Sequence, residues 1–223
     1  MEDFFANHPI LDLVGTATLE TIFMVFLSTI FALLLGFPLG VLLNSTGKHG
    51  ITPKPILNMA LNRIVDVFRS FPFVILMIVL IPLTRKIMGS AVGTAAMIIP
   101  LSIAALPFVA RVTESALTEV NPEMIVVARA MGSTNWQIVT KVLIPESLPS
   151  VAQGITLTII TLVGYSAMAG TLGGGGLGDL ALRYGYQRFR GDVMAASVAV
   201  IVVLVATLQF AGTRISNAML ARR

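Results

Sequence analysis

The chain has no cysteine and only two histidines in 223 residues. The first absence excludes a disulfide framework and a thiolate metal site. The histidines, His8 and His49, are far apart and have no metal-ligand company, so two solvated side chains are expected. Charge is scarce as well, at 12% of residues, where soluble domains carry about a quarter. No stretch interleaves basic and aromatic residues densely, which excludes a nucleic-acid surface. The formal net charge of +4 is small. In a membrane chain such an excess sets orientation.

Nucleotide chemistry is missing too. The nearest approach to a phosphate loop is "TGKHG" (46–50), but Gly47-Lys48 is followed by His49, and Leu42 stands where glycine is required. "GGGGLG" (173–178) satisfies a dinucleotide pattern through Gly173, Gly175 and Gly178. It follows an apolar helical run and not a strand, so a turned or flexible loop is the better reading. No Ser/His/Asp or paired-carboxylate constellation falls at one membrane depth. The chain is therefore not expected to be an enzyme, and no cofactor is expected to bind within it.

What the chain does have is hydrophobic length. Residues 21–47, 70–84, 87–110, 147–178 and 193–213 carry no charge. About 20 apolar residues cross the hydrocarbon layer of a bilayer. Four runs are long enough, and the short run 70–84 must borrow from "NMALNRIVDVF" (58–68), with Arg63 and Arg69 snorkelling outward. The expectation is an all-α integral membrane protein, one domain over 1–223, with about five spans near 16–43, 62–82, 90–111, 150–170 and 193–213. Glu2 and Asp3 stand where a signal peptide is positive, so the first run is expected to stay as a span. With the first residues outside, ten cations face inward: Lys48, Lys54, Arg63, Arg69, Arg111, Arg129, Lys141, Arg214, Arg222 and Arg223. Five face outward: Arg85, Lys86, Arg183, Arg188 and Arg190. That bias favours an outer N-terminus and an inner C-terminus.

The segment 119–148 then lies inside, and it is polar. Asn121 is a good N-cap and Pro122 suits the first helical position. The helix is expected to run to Met131, where Gly132 takes the left-handed conformation that ends it. Thr134 and Gln137 have capping-box spacing and start a second piece. Pro145 and Pro149 are expected to end that piece before the fourth span. The exposed turn is Ala130-Met131-Gly132, small enough for another protein's groove to approach the backbone. A plain surface hairpin is the alternative from spacing alone.

The stretch resembles the cytoplasmic coupling motif of ABC importer permeases: Glu-Ala-Ala, three residues, Gly, nine residues, then Ile-x-Leu-Pro. Here Gly132 is followed by nine residues and then Val142-Leu143-Ile144-Pro145. The opening triplet departs, being Val126-Val127-Ala128 with no glutamate. "FRSFPFVILMIVLIPLTR" (68–85), "PFVARVTESALTEV" (107–120), "TLVGYSAMAG" (161–170), "GGGGLG" and "QFAGTRI" (209–215) extend the likeness, and together they are similar to the methionine importer permeases of this class. The resemblance implies a type I importer permease fold in a bacterial inner membrane. It implies a homodimer, two cytoplasmic ATPase subunits holding ATP and magnesium, and a periplasmic methionine-binding lipoprotein. It also implies that Ala128, Ala130, Met131, Gly132, Ser133 and Pro145 couple the permease to the ATPase.

Tyr165, Ser166 and Met168 close the fourth run with hydroxyls and a thioether able to line a path for methionine; packing is the alternative. Gly36 and Gly40 in "GFPLG" give a small face for close helix packing, or a kink at Pro38. No acid lies mid-bilayer, which weighs against an ion-coupled carrier or channel. The same machine carrying another small amino acid or related compound stays open.

Overall fold

The computed structural model describes residues 10–221; Glu2, Asp3, His8, Arg222 and Arg223, considered above, lie outside the described residues. Among the described residues the secondary structure is helical throughout, with no strand. The order is α1 (Ile10–Thr46), α2 (Pro55–Ser70), α3 (Phe73–Val79), α4 (Ile81–Met88), α5 (Thr94–Thr118), α6 (Pro122–Ala130), α7 (Asn135–Ile138), α8 (Ile144–Gly170), α9 (Gly176–Leu180) and α10 (Gly191–Leu220). Wider π-turns at Val139–Leu143 and Ala181–Tyr186 follow α7 and α9.

Four helical stretches are long and apolar enough to cross a membrane: Ile10–Thr46, Thr94–Thr118, Asn135–Gly170 and Gly191–Leu220. They overlap four of the expected spans. The expected span 62–82 is instead divided among α2, α3 and α4. Pro72 biases the residue before it away from the helical region, and Phe71 is extended at φ −73° and ψ 126°. A second break falls at Leu80, before Pro82 in the first turn of α4.

One expectation is corrected. Pro145 and Pro149 do not end the second piece of the hairpin, because helical backbone runs unbroken from Asn135 to Gly170. In the intervening π-turn the Ile144 N–H reaches back to the Val139 carbonyl. That wider turn sits just before Pro145, where an ordinary α-turn would lack a donor. Pro149 lies inside α8, and its carbonyl accepts a hydrogen bond from the buried Ser216 Oγ at 3.0 Å. Proline is tolerated in such helices when neighbours satisfy the freed groups.

The chain divides into two compact units. The first contains residues through Ile30, Pro72–Ile103 and Ile159–Leu208. Its apolar core joins Val14 and Ala17 to Leu177, Leu180, Tyr184 and Val193. Two side chains of α1 hold the start of α9: Glu20 Oε2 accepts the Gly176 N–H at 2.7 Å, and Thr21 Oγ1 accepts the Leu177 N–H at 2.9 Å. The first turn of a helix has no internal acceptors for its amides, so α1 supplies them. "GGGGLG" is thus a tightly turned loop. Gly173, Gly175 and Gly176 all have positive φ, at 78°, 75° and 76°.

The second unit contains Phe31–Phe71, Ala104–Thr158 and the residues from Gln209 onward. Its helices meet where side chains are missing. A Cβ on Gly36 would stand 2.7 Å from the Leu106 carbonyl oxygen, and one on Gly40 would stand 2.5 Å from that of Ala110. "GFPLG" is therefore a packing face. Gly154 similarly receives Val112, and Gly212 receives Thr156. Asp66 pairs with Arg111 at 2.7 Å, not with its neighbours Arg63 or Arg69. Arg111 also donates to Asn62 Oδ1 at 2.5 Å and to Glu114 at 2.7 Å. A half-buried cation is tolerable when so surrounded, and the cluster ties α2 to α5.

The Gly154 contact gives a direct test. Any Cβ at 154 falls inside Val112 Cγ1, and overpacking a closed site costs about 1–3 kcal/mol. Gly154→Val should reduce the amount of folded protein recovered in detergent and lower its thermal midpoint. Adding Val112→Ala should return part of the loss.

Candidate coupling site

The hairpin 119–148 is built from local signals that agree. Asn121 Oδ1 accepts the Glu123 N–H at 2.9 Å and so caps α6. Pro122 occupies the first turn. The helix stops at Ala130 with Met131 as its cap, one residue short of the expected end. Gly132 is left-handed at φ 80°. Its N–H reaches the Arg129 carbonyl at 2.9 Å, and the Ser133 N–H reaches that of Ala128 at 3.0 Å. This pair of bonds is a Schellman closure, which satisfies the last carbonyls of the helix. The expected capping box is present: the Thr134 N–H donates to Gln137 Oε1 at 2.8 Å, and the Gln137 N–H donates to Thr134 Oγ1 at 3.3 Å.

One side of the hairpin is packed. Ala128, Ile138 and Leu143 join Ile51, Leu117 and Val120 in a buried cluster. Arg129 donates to the Ile51 carbonyl at 3.0 Å, so the 47–54 loop is fastened to the same side. Elsewhere the hairpin exposes several large apolar side chains among its polar ones. Met131 is 80% exposed, Trp136 is 75% exposed, and Val126 and Val127 are exposed as well. Exposed apolar groups gathered on one small element mark an interaction surface more than a solvated one.

The coupling residues anticipated from the sequence therefore fall into two groups. Ala130, Met131, Gly132 and Pro145 are exposed. Ala128 is buried in the hairpin core, where its small size lets α6 lie close. Ser133 contributes its backbone amide to the closure. Trp136, Val126 and Val127 are exposed beside them and were not among the anticipated residues. Exposure was the missing signal, although helical spacing places 126, 127 and 130 on the face opposite Ile125 and Ala128. A recess of about 500 Å³ adjoins the hairpin, lined in part by Lys48, His49, Ile51, Val120 and Leu143.

Tyr165, Ser166 and Met168 differ in their surroundings. The Tyr165 ring stacks on Phe73, with centroids 4.4 Å apart and planes 2° from parallel. Ser166 is buried, and its Oγ donates to the Val163 carbonyl at 2.7 Å. Met168 is exposed. The Glu20 contact with the Gly176 amide spans 156 residues and has no local signature in the sequence. Among the described residues no three His, Cys, Asp or Glu side chains are placed to hold a metal ion.

Comparison with known proteins shows what the chain as a whole is similar to. Residues 36–223 match the family model of the binding-protein-dependent transport system inner membrane component. The chain is similar to the probable D-methionine transport system permease protein MetI of Vibrio cholerae, at 49% identity over 90% of this chain and 89% of the relative. It is similar to the D-methionine transport system permease protein MetI of Escherichia coli strain K12, at 45% identity over 74% and 76%. A chain of the solved MetNI methionine ABC transporter, in inward-facing conformations, superposes with a TM-score of 0.93 at 44% identity, over 96% of this chain and 99% of that one.

The glycine hinge can be tested in the isolated chain. No heavy atom lies within 4 Å of where a Gly132 Cβ would stand. Space is therefore free, but the backbone is left-handed. Gly132→Ala should cost about 1–2 kcal/mol, read as a lower midpoint in thermal unfolding of the detergent-purified chain. An unchanged midpoint would show that the turn relaxes without strain.

Proposed function

The chain belongs to the family of binding-protein-dependent transport system inner membrane components, and we propose that it is the methionine permease of an ATP-driven ABC importer. As a member of this family it is a transport component and not an enzyme. The observation that carries the mechanism is the set of large apolar side chains that the hairpin exposes, Val126, Val127, Met131 and Trp136. That surface suits the cleft of a separate cytoplasmic ATPase, which holds ATP and magnesium. Two permease chains pair to enclose the path, and each engages one ATPase. A periplasmic binding lipoprotein delivers methionine to the other face. The methionine assignment draws on the names of the relatives above.

Coupling follows from continuity. The second arm of the hairpin and the fourth span share one helical backbone, Asn135–Gly170. When the ATPases close on nucleotide, displacement at Trp136 passes along that backbone. Packing and the Arg129–Ile51 bond hold the hairpin to the 47–54 loop, so it moves as a body and not as a loose loop. Ala130, Gly132 and Pro145 contribute by keeping the contact surface low. Tyr165 and Met168 are candidates for the path once the second chain is present.

Orientation follows from the cation bias, with the hairpin and C-terminal end inside and α9 outside. Single cysteines at Ser90 and Asn217, both exposed, read it directly. A membrane-impermeant thiol reagent applied to whole cells should label Ser90→Cys and spare Asn217→Cys. The reverse pattern would put the hairpin on the wrong side of the membrane for any ATPase.

The energy source is tested in vesicles holding this chain and its ATPase, with the binding protein supplied outside. ATP inside should drive methionine accumulation after ionophores have collapsed the ion gradients. Trp136→Ala should lower accumulation about tenfold or more, the loss typical of an interfacial aromatic anchor, while the permease stays folded. Accumulation by the chain alone on an imposed ion gradient would replace this reading with an ion-coupled carrier.

A further inference from the structure

Residues 181–190, the second π-turn and the short loop after it, have an unusual backbone and surface. Phe189 is the one non-glycine residue with positive φ among the described residues, at 55°. For a bulky side chain this conformation is an outlier. It is enforced from both sides: the Arg190 N–H bonds the Tyr184 carbonyl at 3.2 Å, and the Met194 N–H bonds the Arg190 carbonyl at 3.1 Å. Glycine or asparagine would fit there at less cost. Yet the Phe189 side chain is 91% exposed and gains nothing from packing within this chain. Tyr186 beside it is exposed too.

The charges add a second observation. Three arginines in ten residues oppose the cation bias expected outside a membrane. Two are paired: Arg183 with Asp179, and Arg190 with Asp192 at 2.7 Å. Those hydrogen bonds raise both guanidinium pKa values above the ordinary one. Arg188 has no carboxylate partner among the described residues. Its guanidinium instead lies 4.7 Å over the Tyr184 ring, which fixes the charge beside the aromatic tip. Lipid alone does not call for this arrangement, because an aromatic on an ordinary helix reaches the bilayer interface without backbone strain.

Resting on the importer reading and its orientation, we propose that Phe189, Tyr186 and Arg188 form the contact by which this chain receives its binding protein. The complementary surface on that partner is an apolar depression with an acidic rim. Aromatic and arginine side chains together are typical anchors of such interfaces, and Arg188 steers encounter with an acidic partner.

The test uses the permease–ATPase complex in nanodiscs, titrated with the purified methionine-loaded binding protein, with stimulated ATP hydrolysis as the readout. Phe189→Ser and Arg188→Glu should each raise the half-saturating concentration of binding protein roughly tenfold or more. Basal hydrolysis and the stimulated maximum should stay near wild type. Phe189→Tyr should retain the wild-type value. Arg188→Glu should also flatten the salt dependence of stimulation. A photocrosslinking residue at 189 should capture the binding protein. Unchanged half-saturation in both variants, or crosslinks to lipid alone, would overturn the proposal and leave the loop as a membrane anchor. If the binding protein fails to stimulate the wild-type complex at all, the importer reading falls first.

Discussion

A peptide group inside a bilayer has no water to bond to, so it must find its partner within the protein. In this chain the long helices meet that requirement by themselves, and the remaining structure follows from where the helical ladder is interrupted. At Phe71 a proline opens the ladder and the chain restarts as α3. At Gly132 a Schellman closure and a capping box absorb the free groups on both sides of a turn. At Gly176 and Leu177 the amides of a short helix are taken up by Glu20 and Thr21 from α1. The second and third interruptions are stabilised by named partners, and the proposed handle for the ATPase is the second of them.

The same constraint explains the glycines. Between helices in lipid, attraction comes from close packing more than from expulsion of water. Contact distance is then set by the smallest side chains. Gly36 and Gly40 admit residues of α5, Gly154 admits Val112, and Gly212 admits Thr156. These sites keep the second unit dense where the hairpin attaches. The cluster of Ile51, Leu117, Val120, Ala128, Ile138 and Leu143 then carries the packing into the hairpin.

Much of this was legible in the sequence because the deciding forces are local. Uninterrupted apolar runs located four long helices. Asn121, Gly132 and the Thr134–Gln137 pair each act within a few residues, and each behaves in the structure as its chemistry requires. Two kinds of feature were less legible. Proline was read as a stop at 145 and 149, but the π-turn and Ser216 supply what proline removes. Ser216 lies 67 residues away, so no local pattern announces it. Exposure also escaped the sequence. Ala128 and Met131 belong to the same short motif, yet one is core and the other is surface. Only the docking of α6 against Ile51 and Leu117 decides which.

Continuity between the hairpin and the fourth span has a mechanical consequence. Had Pro145 and Pro149 broken the backbone, a push on Trp136 would dissipate in a flexible joint. A helix with an inserted π-turn transmits axial displacement while allowing a change of direction at the wider turn. The polar ties nearby act at the same level: Ser216 on the Pro149 carbonyl, and Ser150 Oγ donating to Glu119 Oε2 at 2.8 Å. They join α10, and the chain just beyond α5, to the base of the fourth span. In the proposed coupling, a displacement entering at the hairpin reaches the base of the fourth span together with the ends of α5 and α10 that these bonds tie to it. Such a linkage can reorient one part of a pore against another without breaking a backbone hydrogen bond in the membrane.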